Sequence, residues 1–206
     1  MSAGRQAGSP AASGLSLDRI GPSPSEAPTI VIALRAEDAP SWTAMADRLS
    51  SATRCGVVVA AIAAVAPDPR VVAAALERIG FERGLLVGDD LHAASVAGHL
   101  GRVADHRVRG VVLLRPRLFA SGWDAREAIG YVRVPIQIVH GEAAPGAAEQ
   151  AAAVLDEAYC PVDVSAVAGG GPDPARARGA DTLAAIAGFV HTLLDEAGER
   201  AAPVGG

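Results

Sequence analysis

Short runs of apolar, often β-branched residues recur along the chain from residue 28 onward, separated by longer amphipathic stretches. Six of these runs have the length and composition of strands that are buried on both faces of a parallel sheet. The predicted strands are Thr29 to Leu34, Gly56 to Ile62, Gly84 to Val87, Val108 to Leu114, Val134 to Val139 and Val162 to Val167.

Helical patterns fill the segments between the predicted strands. Apolar residues from Trp42 to Leu49 follow i, i+3, i+4, i+7 spacing, and Asp68-Pro69 supplies an N-cap and a first-turn proline. Further helices fit Asp90 to Val103, Gly146 to Tyr159 and Asp181 to Ala197. The alternation predicts an α/β fold, a three-layer α/β/α sandwich around a six-stranded, mainly parallel, doubly wound sheet.

Composition sets the expected limits of the domain. Residues 1–27 are rich in Ser, Gly, Ala and Pro and lack periodic apolar spacing, so they are predicted to form a flexible tail. One domain is expected over residues 28–197, and a second flexible tail over residues 198–206.

His92 and His99 are seven residues apart on one predicted helix, where we expect surface or half-buried side chains.

Charge and cysteine content narrow the classes of partner. The formal net charge of −5 disfavours nucleic acid and anionic membranes, which bind clustered positive charge. Cys55 and Cys160 are too few for a disulfide framework and have no metal-ligand spacing, so no metal and no cofactor are expected. No apolar run approaches the ~20 residues that span a bilayer. We therefore expect a cytoplasmic protein.

The segment from Gly84 to Ala93 carries the most informative motif. An apolar strand enters a glycine, a sharp turn and a helical pattern, which is the frame of a nucleophile elbow. Here the chain resembles the α/β-hydrolase family, whose elbow often reads Gly-His-Ser-x-Gly-Gly. The family's serine position carries Asp90, the residue before it is Asp89, and the second glycine is replaced by His92.

The resemblance extends over roughly residues 28–196. Val134 to Glu142 looks like the family's strand that ends in His-Gly, and the triad-acid position after it is Ala144. The turn from Gly169 to Asp173 lies where the family carries its catalytic base, and that position is Pro172. The resemblance implies spatial strand order 2-1-3-4-5-6 and a minimal domain without an inserted cap.

A doubly wound sheet forms its site at the carboxyl ends of the strands, beside the switch in strand order. Asp90 is the candidate catalytic residue, and the amide of Leu91 could face an oxyanion. The predicted binding residues at this edge are Arg35, Glu37, Asp89, Leu91, His92, Arg115, His140, Glu142 and Asp173.

Three roles compete for Asp90. It could be the nucleophile, as in the haloalkane dehalogenase and epoxide hydrolase branches that the resemblance implies, but the base position lacks a histidine. Asp89, Asp90, Glu142 and Asp173 could instead form an acidic cluster that holds a cation and raises a carboxyl pKa. The third role is a cap on the following helix.

The sequence favours a degenerate α/β-hydrolase-like protein. With the triad positions occupied by Asp90, Ala144 and Pro172, we expect loss of ester hydrolysis and a role as a binding or assembly subunit. Such a role would involve a small-molecule ligand, a protein partner or a homo-oligomer. The alternative is an active small hydrolase, an esterase or a dehalogenase or epoxide hydrolase type, with Asp90 as nucleophile.

Overall fold

The computed structural model describes residues 6–7, 14–64, 66–120, 122–171 and 173–196. The strands are β1 (Gln6–Ala7), β2 (Leu15–Ile20), β3 (Thr29–Arg35), β4 (Gly56–Ile62), β5 (Gly84–Asp89), β6 (Val108–Leu114), β7 (Phe119–Ala120), β8 (Trp123–Asp124), β9 (Ile136–Gly141) and β10 (Val162–Val167). The helices are α1 (Ala39–Thr53), α2 (Pro69–Ile79), α3 (His92–Arg102), α4 (Arg126–Ile129), α5 (Ala147–Glu157), α6 (Pro174–Ala177) and α7 (Gly179–Glu196).

One sheet organises the described residues, in the order β1-β2-β4-β3-β5-β6-β9-β10. The six neighbouring strands β4-β3-β5-β6-β9-β10 pair in parallel. Numbered along the chain, these six strands have the predicted order 2-1-3-4-5-6. The direction of winding changes between β3 and β5. The predicted α/β fold and the position of its switch point are therefore confirmed, although the sheet has eight strands among the described residues rather than six.

Strand β2 lies inside the segment that was predicted to be a tail. It pairs antiparallel with β4 over six residues, from Leu15 opposite Ile62 to Ile20 opposite Val57. The prediction of a tail over residues 1–27 is therefore wrong for Leu15–Ile20. Strand β2 lies near the edge of the sheet and is only partly buried. Its sequence therefore mixes polar with apolar residues, and the apolar pattern that would indicate a strand is weak. The predicted C-terminal tail, residues 198–206, lies outside the described residues.

Helices cover both faces of the sheet and make two separate hydrophobic cores. One core includes apolar residues of α2, α3 and α5, and the other includes those of α1 and α7. Helix α2 begins as predicted, because the Asp68 carboxylate accepts a 2.9 Å hydrogen bond from the Arg70 amide and Pro69 follows. The three-layer sandwich is thus confirmed.

The connection from β6 to β9 contains only the β7–β8 hairpin and helix α4 among its described residues. Because β3, β5 and β6 are neighbours that pair in parallel, their carboxyl ends lie at the same edge of the sheet. Within the described part of the chain, none of the helices combines the length and apolarity that crossing a membrane requires.

Candidate functional site

A sharp turn joins strand β5 to helix α3 at Asp90. Asp90 has φ 54°, a left-handed conformation that is uncommon for a residue other than glycine. Its amide donates to the Leu114 carbonyl at 3.0 Å, and its own carbonyl accepts from the Arg117 amide at 3.1 Å. Gly88 lets the strand and helix approach closely, since a Cβ there would lie 2.7 Å from the Ala93 Cα.

The Asp90 side chain is 8% exposed and faces two arginines. One carboxylate oxygen, Oδ1, lies 3.0 Å from Arg117 Nη2, and Oδ2 lies 3.6 Å from Arg35 Nε. Helix α3 has Leu91 at its N-cap position and no side-chain hydrogen bond to the cap. The interpretation of Asp90 as a helix cap is therefore wrong, because its carboxylate is held by guanidinium groups instead.

Asp89, the last residue of β5, is 1% exposed and is paired with Arg115. Arg115 Nε donates to Asp89 Oδ1 at 2.6 Å and Nη2 donates to Oδ2 at 2.9 Å, a bidentate arrangement. Trp42 Nε1 adds a 3.3 Å hydrogen bond to Oδ2. Burial raises the pKa of the Asp89 carboxyl, and the Arg115 guanidinium opposes that rise.

Arg115 also contacts two further carboxylates. Its Nη2 lies 3.0 Å from Asp38 Oδ2, and its Nη1 lies 3.7 Å from Asp173 Oδ2. Burial disfavours the positive charge, but the carboxylates of Asp89, Asp173 and Asp38 outweigh it and raise the pKa of Arg115. One guanidinium is therefore shared by three carboxylates at the edge of the sheet.

The predicted acidic cluster needs correction in its membership. Asp89, Asp90 and Asp173 all lie in this network of arginines, but Glu142 is exposed and makes no ion pair in the described part of the chain. The Glu142 amide continues the sheet pairing to the Val167 carbonyl at 3.1 Å. Among the described residues, no group of three His, Cys, Asp or Glu side chains could hold a metal ion.

The remaining charge at this edge belongs to Arg35 and Glu37. Arg35 Nη1 lies 2.6 Å from Glu37 Oε1, although the Glu37 side chain is largely exposed. Arg35 Nε also donates to Asp38 Oδ2 at 3.3 Å. Arg35 therefore joins the loop after β3 to Asp90 at the turn after β5.

The two histidines of α3 are buried, which corrects the expectation of surface or half-buried positions. His92 is 0% exposed, and its Nδ1 lies 3.3 Å from Ser95 Oγ. Its Nε2 has no hydrogen-bond partner among the residues that the structure describes. Burial lowers the pKa of His92 to about 4. His99 is also buried, because α3 packs between neighbours, with Gly98 close to Pro69.

In the described part of the chain, the other predicted positions take no part in these ion pairs. His140 is 9% exposed, and its Nδ1 lies 3.1 Å from the Gly141 carbonyl. Leu91 is 5% exposed, so its backbone has little contact with solvent. Pro172, at the position of the family's base, lies outside the described residues.

A small cleft of about 240 Å³ opens beside the Asp90 turn. It is bounded by the turn, by the segment after β6 and by the start of α5. Its lining residues are Arg35, Asp90, Arg115, Pro116, Arg117, Ala144, Pro145, Gly146, Ala147 and Gln150. Ala144, which occupies the position expected for the triad acid, lines the cleft but has no carboxylate.

Three side chains of this site are not among those predicted from the sequence. Asp38, Trp42 and Arg117 complete the network, and each belongs to a loop or helix that follows a strand of the sheet. The nearby strand ends could have indicated Asp38 and Arg117, since they lie three and two residues beyond Arg35 and Arg115. Nothing in the local pattern distinguishes Trp42 from an ordinary core residue.

Comparison with known proteins identifies the fold. No protein-family model matches the sequence, and no curated protein matches it either. Among solved structures, the chain is similar to a monoacylglycerol lipase from Paleococcus ferrophilus, with 13% identity and a TM-score of 0.68 over 86% of this chain and 98% of the lipase. A structure described as a predicted CIB-like hydrolase from Thermoplasma acidophilum gives 14% identity and a TM-score of 0.71 over 92% and 99% of the two chains.

A bromoperoxidase from Bacillus anthracis is similar to the same extent, with 11% identity and a TM-score of 0.69 over 86% of this chain and 95% of the other. Together with the sheet order and the strand–turn–helix at Asp90, these likenesses show that the chain has the α/β-hydrolase fold. The resemblance seen in the sequence is confirmed at the level of the fold.

Proposed function

We propose that this chain is a degenerate relative of the α/β-hydrolases that binds a ligand at the elbow cleft without hydrolysing esters. The observation that carries the proposal is the ion pairing of the Asp90 carboxylate. Both of its carboxylate oxygens face arginines, and no hydroxyl or thiol occupies the apex of the turn. A carboxylate held in ion pairs is a weak nucleophile, because attack would have to break those pairs.

The residues at or near the positions of a triad acid and base also favour this proposal, because they are poorly suited to catalysis. Ala144 lines the cleft where the family's acid is expected, and it has no group that could orient a histidine. His92, the histidine two residues beyond Asp90, is buried and its low pKa makes it a weak base. We also propose a cytoplasmic location, and the net charge of −5 supports a protein that does not bind nucleic acid.

A fluorophosphonate probe and a panel of p-nitrophenyl esters test the proposal directly. We expect no covalent labelling and no turnover above the buffer rate. Asp90→Ser alone should remain inactive, because triad members act as a unit and the acid position is still Ala144. Stoichiometric labelling of the unmodified protein, or efficient turnover by Asp90→Ser, would contradict the proposal.

The alternative is a hydrolase that uses Asp90 as its nucleophile, as in dehalogenases and epoxide hydrolases. One observation favours it: Asp90 lies at the apex of the turn and lines the cleft. Turnover of haloalkanes or epoxides in ¹⁸O-labelled water, under single-turnover conditions, would separate the two functions. A nucleophilic Asp90 acquires the label after hydrolysis of its ester intermediate, and a binding protein does not.

A further inference from the structure

The two edges of the sheet are formed by unequal strands. Among the described residues, β1 forms one edge with only two residues, whereas β10 forms the other edge with six. A very short edge strand, a proline, a lysine or a bulge keeps an edge from pairing with another chain. Strand β10 has none of these features, since it contains no proline or lysine and pairs with β9 without a register shift. Asp163 is its one charged residue.

Every second residue of β10 directs its backbone groups away from the sheet. The Val167 carbonyl accepts from the Glu142 amide at the end of β9, at 3.1 Å. The direction of the backbone groups alternates along a strand, so the odd-numbered residues of β10 face β9. The N–H and C=O groups of Val162, Val164 and Ala166 therefore point outward, where the described part of the chain supplies no neighbouring strand.

Apolar side chains are exposed beside this edge. Val164 is 39% exposed, and it shares a face of the sheet with Val162, which packs on the core that includes α5. Leu155 on α5 is 53% exposed. Gln150 of the same helix accepts from the Leu118 amide after β6, which marks the side of α5 toward the centre of the sheet. Leu155 lies roughly 140° around the helix from Gln150, so it faces the outer edge.

We propose that β10 pairs antiparallel with β10 of a second copy of this chain, so that the two sheets join across a two-fold axis at Val164. A strand can meet its own copy in the antiparallel direction, and a two-fold contact closes on itself. The product is therefore a dimer and not a fibre. The axis is perpendicular to the sheet, so α5 and Leu155 of both copies lie on the same face of the joined sheet. This inference is independent of the ligand binding proposed above.

The register follows from the outward-facing residues and from the charge of Asp163. An axis at Val164 pairs Val164 with its own copy and Val162 with Ala166. This register uses all three outward-facing residues and makes about six main-chain hydrogen bonds. Asp163 then lies opposite Ser165 of the second copy. An axis one residue earlier would place the two Asp163 carboxylates opposite each other, where like charges destabilise the pairing.

Sedimentation velocity of the purified chain at about 1 to 300 μM tests the proposal. We expect the mass to rise with concentration from that of one chain to that of two chains and to stop there. A monomer at every concentration would overturn the proposal and leave this edge to a different partner. Growth beyond two chains would also overturn it, because a two-fold contact closes.

Two substitutions at Val164 separate this interface from others. Val164→Pro removes an outward-facing N–H and leaves the hydrogen bonds to β9 in place, so the chain should stay folded. We expect it to raise the dissociation constant of the dimer at least about tenfold. Val164→Thr is the matched control, because it keeps the N–H and the β-branched shape, and it should leave the dimer intact. Circular dichroism checks the fold of each variant, and an unchanged dissociation constant in folded Val164→Pro would refute the interface.

Charged substitutions test the position of the axis. Val164→Lys and Val164→Asp should each be monomeric, because each places like charges opposite one another. An equimolar mixture of the two variants should form a dimer, since the lysine of one chain then faces the aspartate of the other. Val103→Lys is the control, because Val103 is also exposed but follows α3, and this variant should dimerise like the unmodified chain. Dimers of either charged variant alone, or a mixture that stays monomeric, would refute an axis at Val164.

Discussion

Replacing Arg115 by methionine tests the charge network that holds the edge of the sheet together. Methionine keeps much of the apolar length of arginine but donates no hydrogen bond. Asp89 would then remain 1% exposed with only the Trp42 indole as partner. Removing one partner of a buried ion pair typically costs about 3–5 kcal/mol, so the free energy of unfolding should fall by about that amount at pH 7.

The loss should depend on pH. In Arg115→Met, burial raises the pKa of Asp89 without an opposing guanidinium. A folded-state pKa above the unfolded value of ~4 means that stability is fully present below pH 4 and is lost as the pH rises through the folded-state pKa. Urea unfolding followed by circular dichroism should therefore show a smaller deficit at pH 4 than at pH 7.

Two further variants complete this test. Combining Arg115→Met with Asp89→Asn should recover part of the lost stability at pH 7, because the unpaired charge is gone and the amide can still accept from Trp42. Arg178→Met removes an exposed pair and should change stability by less than about 1 kcal/mol. A loss below about 1 kcal/mol in Arg115→Met, or no recovery in the double variant, would refute the buried-pair reasoning.

Three other changes have defined outcomes in the same unfolding assay. Asp90→Asn should lower stability by about 1 kcal/mol at pH 7, since it breaks a pair with a half-exposed arginine; a higher melting temperature would contradict this. Because the folded-state pKa of His92 is about 4, stability should fall by about 3 kcal/mol from pH 6.5 to pH 4. Part of that slope should disappear in His92→Leu and persist in the exposed-site control His106→Gln. Gly88→Ala should cost about 1–3 kcal/mol through the close strand–helix contact, whereas Gly188→Ala, with open space around it, should not destabilise.

The inner parallel strands β3, β4, β5, β6 and β9 could be predicted because they are buried on both faces and are largely apolar. The parallel strand β10 at the edge of the sheet is mostly exposed, which differs from the expected burial on both faces. The predicted limits of Gly56 to Ile62, Val108 to Leu114 and Val162 to Val167 agree with the structure at both ends. Leu15–Ile20 escaped prediction because an antiparallel strand near the edge of the sheet alternates apolar and polar residues, and its Ser- and Gly-rich surroundings resemble a tail.

The site was predictable in place but not in its pairing. Counting residues after each strand brings Arg35, Asp89 and Arg115 to one edge, and the structure confirms that they meet there. The partner of each charge depends on turns that fold the chain back. Arg115 has φ 38°, and the residues after this bend bring Arg117 against Asp90, a contact that spacing alone does not reveal.

The antiparallel strand β2 bears on how the domain can be handled as a recombinant fragment. A fragment starting at residue 28, where the hydrolase-like pattern begins, would delete β2 and leave the backbone groups of Gly56–Ile62 unpaired along the sheet margin. That strand is uncharged and highly apolar, a sequence type prone to join other chains edge to edge. Soluble expression therefore requires a start site before Leu15, and truncation at residue 28 should yield aggregates.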